Sequence, residues 1–295
     1  MRQKLLKLRK QIKDDKPLIH CITNPISIHD CANVILAVGA RPIMAEHPAE
    51  VADITASAGA LMLNLGNITD ARIESMKRSM RRAVENDIPV LLDLVGVACS
   101  SLRLDLAREL MSIGHPAVLK GNMSELLAVS GLPSHAIGID AGMQDALTSE
   151  NIDMISDVLK AFSRSNQSVV MATGKCDFVT DGKQVILVEN GTGALSGITG
   201  TGCMVGALTT AFLPAGEPVS DKCGAVCGKN VKTVDTRLED HLAAAILGTG
   251  LMGIAGEEAE KISRGPGSFQ VNLLDEIYGI TDEQLLKKLK IKSYM

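Results

Sequence analysis

Residues 60–94, ALMLNLGNITDARIESMKRSMRRAVENDIPVLLDL, contain two short apolar runs on either side of a segment with helical periodicity. The runs at 60–65 and 88–94 have the length and composition of buried strands, and the helical pattern covers 70–85. A strand, a helix and a second strand in this order predict two parallel strands joined by a crossover helix.

The same alternation continues along the chain. Further strands and helices are predicted at residues 102–111, 117–119, 152–162 and 168–172. Residues 178–180 and 184–188 flank Asp181-Gly182, which predicts an antiparallel hairpin at the end of the sheet. The sequence therefore predicts an α/β protein with a mostly parallel central sheet and helices on both faces, folded as a single domain over 1–295.

Three helices are predicted from other signals. One begins at Asn24, which would cap it with Pro25 in its first turn, and ends before Gly39. The stretch 242–256 is apolar and rich in glycine but too short to span a membrane, so it predicts a close-packed core helix. The basic segment 1–17 lacks the apolar centre of a secretory signal, and a capping helix is favoured over a membrane-binding or transit segment.

Composition narrows the class of protein. The chain has 30 basic and 34 acidic residues, a formal net charge of −4 and no tryptophan, which argues against nucleic-acid binding. Seven irregularly spaced cysteines are typical of reduced thiols in the cytoplasm. Cys223 and Cys227 could bind a metal with His241, but free thiols are favoured because the pair is isolated. We expect a cytoplasmic protein that acts on small molecules, away from membranes.

Polar residues cluster where the predicted strands end. Asp93 interrupts an apolar strand, Lys120 and Glu125 follow the next strand, and Thr173 follows another. Because the carboxyl ends of parallel strands meet at one edge of a sheet, these residues predict a single polar cleft. Asp93 and Glu125 are candidates for a Mg²⁺ site. An alternative fits equally well: Asp93 pairs with Lys120, and Glu125 stabilises the start of a helix.

The segment 190–206, NGTGALSGITGTGCMVG, is the densest glycine cluster, and an apolar helix is predicted directly after it at 203–212. Glycines and a helix N-terminus favour a phosphate, although a tight turn with close helix packing is the simpler interpretation. The spacing matches neither a Walker loop nor a dinucleotide-binding fingerprint. Cys203 lies at the helix start, where it would be either an available thiolate or a small buried apolar residue.

Eight segments of the chain resemble the hydroxyethylthiazole kinases. They occur in the same order as in that family and cover almost the whole chain. They are HCITNPISIHDCAN at 20–33, PIMAE at 42–46, LNLGN at 63–67, VLLDLVGV at 90–97, LKGNMSEL at 119–126, MATGKCDFVTDG at 171–182, ITGTGCMVGAL at 198–208 and GPGSF at 265–269. The resemblance implies a three-layer ribokinase-like fold. It also implies transfer of the ATP γ-phosphoryl group to 4-methyl-5-(2-hydroxyethyl)thiazole in thiamine precursor salvage, with Mg²⁺, by a homotrimer whose thiazole sites lie near subunit contacts.

The resemblance also implies roles for individual residues. Cys203 stands where related sugar kinases use an aspartate as base. The other residues implied are Asn24, Met44 and Gly200 for the thiazole, Lys120 and Thr173 for the ATP phosphates, and Asp93 and Glu125 for Mg²⁺.

This chain departs from the family pattern in four places. Leu94 replaces a proline, Lys120 an arginine and His29 an asparagine, and the stretch 214–239 is longer than usual. The alternatives are a nucleotide-dependent dehydratase that repairs hydrated NAD(P)H on the same fold, a kinase for another small primary alcohol, and a binding protein without turnover.

Overall fold

The computed structural model describes residues 1–133, 148, 150–216 and 233–294. Its strands are β1 (Leu18–Ile22), β2 (Arg41–Ile43), β3 (Ala60–Asn64), β4 (Val90–Asp93), β5 (Val118–Asn122), β6 (Val169–Thr173), β7 (Asp177–Thr180), β8 (Val185–Val188) and β9 (Ile291–Tyr294). Its helices are α1 (Arg2–Asp15), α2 (Ile28–Ala37), α3 (Val51–Ser57), α4 (Asp70–Glu85), α5 (Ser101–Ile113), α6 (Met123–Val129), α7 (Ile152–Asn166), α8 (Thr201–Phe212), α9 (Val234–Ile262), α10 (Pro266–Gly279) and α11 (Asp282–Lys288).

The strands of this described part form one sheet in the order β2-β1-β3-β4-β5-β6-β7-β8-β9. The pairs from β2 to β6 are parallel, and those from β6 to β9 are antiparallel. Every residue of β3 and β4 is buried, as expected for parallel strands covered on both faces. The predicted α/β class and the hairpin formed by β7 and β8 are confirmed.

Two apolar cores lie on opposite faces of the sheet and give the fold its three layers. One core packs α1, α2, α8, α9 and α10 on one face, and Met62 of β3 points into it. The other packs α4, α5, α6 and α7, and Leu61 and Leu63 of the same strand point into it. The alternation of neighbouring residues between the two cores follows from the two-residue period of a strand.

Most predicted elements are present with small shifts at their ends, but the predicted start of α2 was wrong. The helix begins at Ile28, not at Asn24-Pro25. The Asn24 side chain instead accepts hydrogen bonds from the backbone N–H groups of Ile26 and Ser27, both at 3.1 Å, in a turn that precedes the helix. The predicted end of α2 before Gly39, which has a φ of +98°, is confirmed.

The helix predicted at 242–256 is the centre of a longer one, α9, which has 29 residues. By length and composition α9 could cross a membrane, but 89% of its most apolar window is buried inside the protein, as in a core helix. The basic segment at the start of the chain is α1, with Leu5, Leu8 and Ile12 buried. Part of the stretch 214–239 lies outside the described residues, as do Cys223 and Cys227.

Candidate active site

The register of the sheet places the predicted polar residues side by side. Asn64 at the end of β3 pairs with Asp93 at the end of β4, and Asp93 pairs with Lys120 of β5. Asn122 and Thr173 are likewise partners at the ends of β5 and β6. The predicted cleft at the carboxyl edge of the sheet therefore has a structural basis.

Asp93 and Lys120 form a buried ion pair at the centre of this edge. The Lys120 ammonium lies 3.1 Å from Asp93 Oδ1 and 3.0 Å from Oδ2. Burial raises the pKa of Asp93, and Lys120 opposes this increase. Burial also lowers the pKa of Lys120, but the charges of Asp93, Cys203 and Glu125 together raise it above its ordinary value. The lysine is therefore a fixed positive charge at the site.

Asn64 connects this pair to the rest of the site, although no sequence signal singled it out. Its Nδ2 donates to Asp93 Oδ2 at 2.9 Å and to Cys203 Sγ at 3.3 Å. Its Oδ1 accepts from Asn24 Nδ2 at 3.1 Å and from the Gly66 N–H at 2.9 Å. The buried amide thus uses both of its hydrogens and both of its acceptor positions, which fixes its orientation.

Cys203 is half-buried in the first turn of α8 and accepts from two side-chain amides. Asn24 Nδ2 lies 3.2 Å and Asn64 Nδ2 3.3 Å from its sulfur. Gly200 caps the helix at a φ of +87°, in the left-handed region, and a Cβ there would lie 3.1 Å from that of Ser27. Two sequence-predicted thiazole residues are thus close to the predicted catalytic cysteine. Asn24 contacts its sulfur, and Gly200 caps the helix that carries it.

The N-terminus of α8 lies against the Lys120 ammonium. A Cβ added to Gly202 would be 3.6 Å from Lys120 Nζ. The free N–H groups of a helix start and a fixed ammonium are both attractive to an anion. This arrangement can bind a phosphate and stabilise negative charge on it.

Glu125 lies at the start of α6, where it forms a capping box with Asn122. Its Oε1 accepts from the Gly96 N–H and its Oε2 from the Asn122 N–H, each at 2.7 Å. Burial raises the pKa of Glu125 to about 7, while these two N–H groups act to lower it. These contacts and the Asp93–Lys120 pair are the ones that the alternative without a metal predicted. Within the described ranges, no group of three or more His, Cys, Asp or Glu residues could hold a metal ion.

The far side of the cleft is formed by the end of β6 and the start of β7. The Thr173 hydroxyl donates to the Gly121 carbonyl at 3.3 Å. Asp177, which was not among the sequence-predicted residues, accepts from the Gly174 N–H at 2.9 Å. Burial raises the pKa of Asp177 to about 7, and the charge of Lys120 acts to lower it.

Two other residues singled out in the sequence, Met44 and His29, lie in different surroundings. Met44 directly follows β2, is half-buried, and packs on the same core as Cys203. The His29 side chain is 84% exposed and bonded to Asp30, so its difference from the family pattern is at the surface. A cavity of about 510 Å³ lies at the opposite edge of the sheet, near the start of β4, and none of the residues predicted for the thiazole, ATP, Mg²⁺ or catalysis line it.

The chain is similar to known proteins in sequence and in fold. Residues 9–283 match the model of the hydroxyethylthiazole kinase family. A protein of Clostridium botulinum named hydroxyethylthiazole kinase 2 is 45% identical over 98% of this chain and 100% of its own length. The solved structure of a hydroxyethylthiazole kinase from Pyrococcus horikoshii is 29% identical, with full coverage of both chains and a TM-score of 0.81. A ribokinase-like superfamily protein of Enterococcus faecalis, 11% identical, covers 92% of this chain and 93% of its own with a TM-score of 0.61, and shows the ribokinase-like fold.

Proposed function

The chain belongs to the hydroxyethylthiazole kinase family, and on that premise we propose a mechanism for its reaction, the phosphorylation of 4-methyl-5-(2-hydroxyethyl)thiazole by ATP in thiamine salvage. One observation supports this function most strongly. The buried Lys120–Asp93 pair lies against the N-terminus of α8, with Cys203 in the first turn of that helix. A phosphoryl group at the helix start would thus lie close to Cys203, whose side chain could contact the hydroxyl of the acceptor.

The phosphates of ATP bind at Lys120 and at the backbone N–H groups of α8, with Thr173 on the other side of the cleft. The acceptor hydroxyl lies at Cys203, in a pocket that includes Asn24, Met44 and Gly200. Its oxygen forms a bond to the γ-phosphorus as the bond to the ADP oxygen breaks. The hydroxyl proton goes to Cys203 Sγ or to the transferred phosphoryl group. Because this reaction depends mainly on positioning and charge, Cys203 acts first by position and second as a base.

The site fits a Mg²⁺ ion that is held mostly through water and phosphate oxygens. Asp93 and Glu125 are buried carboxylates, and the charge of Asp93 adds to the rise in the pKa of Glu125. A divalent cation would relieve this repulsion. Each carboxylate already accepts hydrogen bonds, so each would reach the ion through its remaining lone pairs. When bound, the ion neutralises charge on the phosphates.

Assembly as a cytoplasmic homotrimer is part of the same proposal. Four large apolar side chains are exposed on or beside α2 and α10, namely Ile26, Leu36, Val271 and Tyr278. The two helices are joined by a hydrogen bond from Gln270 to Asp30. Ile26 is two residues from Asn24, so a subunit contact on this surface would lie near the thiazole pocket. Light scattering after gel filtration should give three times the mass of the chain.

Phosphorus NMR of the purified protein with Mg²⁺-ATP and the thiazole tests the function directly. We expect a new phosphomonoester signal that is absent when the thiazole is omitted. Transfer to other small primary alcohols but not to the thiazole would assign a different acceptor. Conversion of hydrated NADH without transfer would favour the dehydratase.

A further inference from the structure

We propose that Arg72 is a positioning residue that fixes the acceptor side of the site. It joins the loop after β2 to the loop after β3, and both loops lie at the carboxyl edge of the sheet. The inference rests on the proposed function, because it concerns how the thiazole pocket is held.

Arg72 lies in the first turn of α4 with its side chain 8% exposed. Its Nε and Nη2 donate to Glu46 Oε2 at 2.9 and 2.7 Å. Its Nη1 donates to the Asn67 carbonyl at 2.9 Å. The planar guanidinium thus spans two loops, which the single ammonium of a lysine could not do with the same geometry.

The loop after β2 has no regular structure at residues 44–47 and is held mainly by side chains from other elements. His20 Nε2 donates to the Ala45 carbonyl at 2.9 Å, and the Ser75 hydroxyl donates to the Glu46 carbonyl at 2.7 Å. Met44 lies between β2 and these two anchored residues. The position of Met44 over the core therefore depends on where Glu46 is held.

The loop after β3 begins directly after Asn64, the strand residue that donates to Cys203. Three residues later Asn67 has a φ of +48°, a conformation that residues other than glycine rarely adopt. Arg72 binds the carbonyl of that same residue. One side chain therefore positions both the segment that carries Met44 and the segment that follows Asn64.

A structural role alone would predict a different result. The Glu46 carboxyl is 48% exposed, and a salt bridge with so exposed a partner contributes little to stability. We therefore expect loss of the pair to leave the fold intact while it displaces the loops. The consequence should be confined to the acceptor, since Asn64 is held in the sheet beside Asp93 and the ATP phosphates bind at Lys120 and α8.

The test compares Arg72→Lys, Glu46→Gln and the double variant with Arg82→Lys, a control on the same helix that pairs with Glu85. We expect each single variant to raise the KM for the thiazole about tenfold, with the KM for ATP and kcat changed less than about twofold. The double variant should be no worse than Arg72→Lys alone, because that change already breaks the pair with Glu46. Equal rises in both KM values, a fall in kcat alone, or additive effects would overturn the proposal.

Calorimetry of the thiazole with the same variants separates this proposal from the proposed function. If the wild-type protein binds the thiazole without phosphorylating it, the function fails, and an increase of about tenfold in Kd for Arg72→Lys still supports the positioning role. Unchanged Kd values in the variants would contradict that role. No thiazole binding by the wild-type protein would overturn both.

Discussion

Asn64 donates one amide hydrogen to Asp93 at 2.9 Å and the other to Cys203 at 3.3 Å. A single side chain therefore joins the ion pair that faces the phosphates to the sulfur that faces the acceptor. Because its oxygen also accepts two hydrogen bonds, the amide cannot rotate without losing all four.

Replacement Asn64→Asp should lower kcat by about 100-fold, since it removes both donors and places a second carboxylate beside Asp93. Steady-state kinetics with saturating Mg²⁺-ATP and thiazole would measure this. Asn67→Asp is the matched control, because Asn67 is exposed and aspartate also tolerates its positive φ. Equal activity in the two variants would contradict a role for the Asn64 amide.

The sequence predicted that the cleft lies at the carboxyl edge of the sheet, but it did not identify which side chains contact one another there. Lys120 could be placed because it follows the strand predicted at 117–119, although it lies within β5 in the structure. Asp93 and Thr173 could be placed because each is the last residue of a strand, and strand ends share an edge. Asn64 ends its strand in the same way, but the turn formers Gly66 and Asn67 two and three residues later concealed it. Whether Asp93 faces a lysine or a metal depends on side-chain geometry, which spacing alone does not determine.

The sequence analysis did not predict the short strands β1 and β2 at the start of the sheet. β2 has three residues and β1 has five, too few to show a period. Asn24-Pro25 resembled a helix start because a turn that an asparagine side chain stabilises uses the same chemistry as an N-cap. Here the Asn24 Oδ1 accepts from the N–H groups of Ile26 and Ser27 in such a turn, while its Nδ2 donates to Cys203.

Asp93→Ala should lower turnover more than Asn64→Asp does, by about 1,000-fold or more. It should also destabilise the fold by about 3–5 kcal/mol, because it leaves the Lys120 ammonium buried without its partner. Urea unfolding and kinetics would measure the two effects. The double change Asp93→Ala with Lys120→Met should recover much of the stability and none of the activity. Recovery of activity would contradict the role of the ion pair.

Cys203→Ala should lower kcat by about tenfold and leave the KM for ATP nearly unchanged, since the cysteine acts on the acceptor first by position. Cys99→Ala is the control, because Cys99 is exposed and does not contact Cys203 or its partners. A kcat equal to that of the wild-type protein would remove Cys203 from the mechanism.

The contribution of His20 to stability should fall as the pH drops below the ordinary pKa of histidine, opposite in sign to the contributions of Glu125 and Asp177, whose pKa values burial raises to about 7. Burial lowers the pKa of His20, although the Ala45 carbonyl and Glu50 act to raise it. Below a pH of about 6.5 the unfolded chain therefore binds a proton at His20 that the folded chain does not bind, and the His20 contribution decreases by at most about 1.4 kcal/mol per pH unit. Urea unfolding at pH 7.5 and 5.5 would measure the loss.

His20→Gln should make this loss smaller, because glutamine does not titrate, whereas the exposed His29→Gln should leave it unchanged. The His20 ring also bonds Thr55 at 2.9 Å, so the variant is expected to be less stable at both pH values. The pH difference, not the absolute stability, carries the prediction. An unaltered difference in His20→Gln would assign the acid sensitivity to other groups.

The glycines of α9 allow this helix to approach the start of the glycine-rich segment. A Cβ added to Gly253 would lie 2.6 Å from the backbone carbonyl of Asn190, the first residue of that segment. Asn190 is itself fixed, because its side chain accepts from the Lys290 N–H at 2.7 Å and donates to the Lys288 carbonyl at 3.0 Å. Because the added Cβ would force α9 and the Asn190 backbone apart, Gly253→Ala should destabilise the protein by about 1–3 kcal/mol.

Gly267→Ala in α10 provides the contrast, because among the described residues a Cβ there would meet no atom within 4 Å beyond its chain neighbours and its own helix backbone. It should be neutral or slightly stabilising, since alanine has the higher helix propensity. If the shift from Gly253→Ala reaches the far end of the segment at Gly200, then kcat should fall together with stability, because Gly200 caps the helix that carries Cys203. Thermal unfolding and kinetics of the two variants distinguish a local clash from a displaced loop. Lost stability with an unchanged kcat would mean that the segment absorbs the shift before it reaches Gly200.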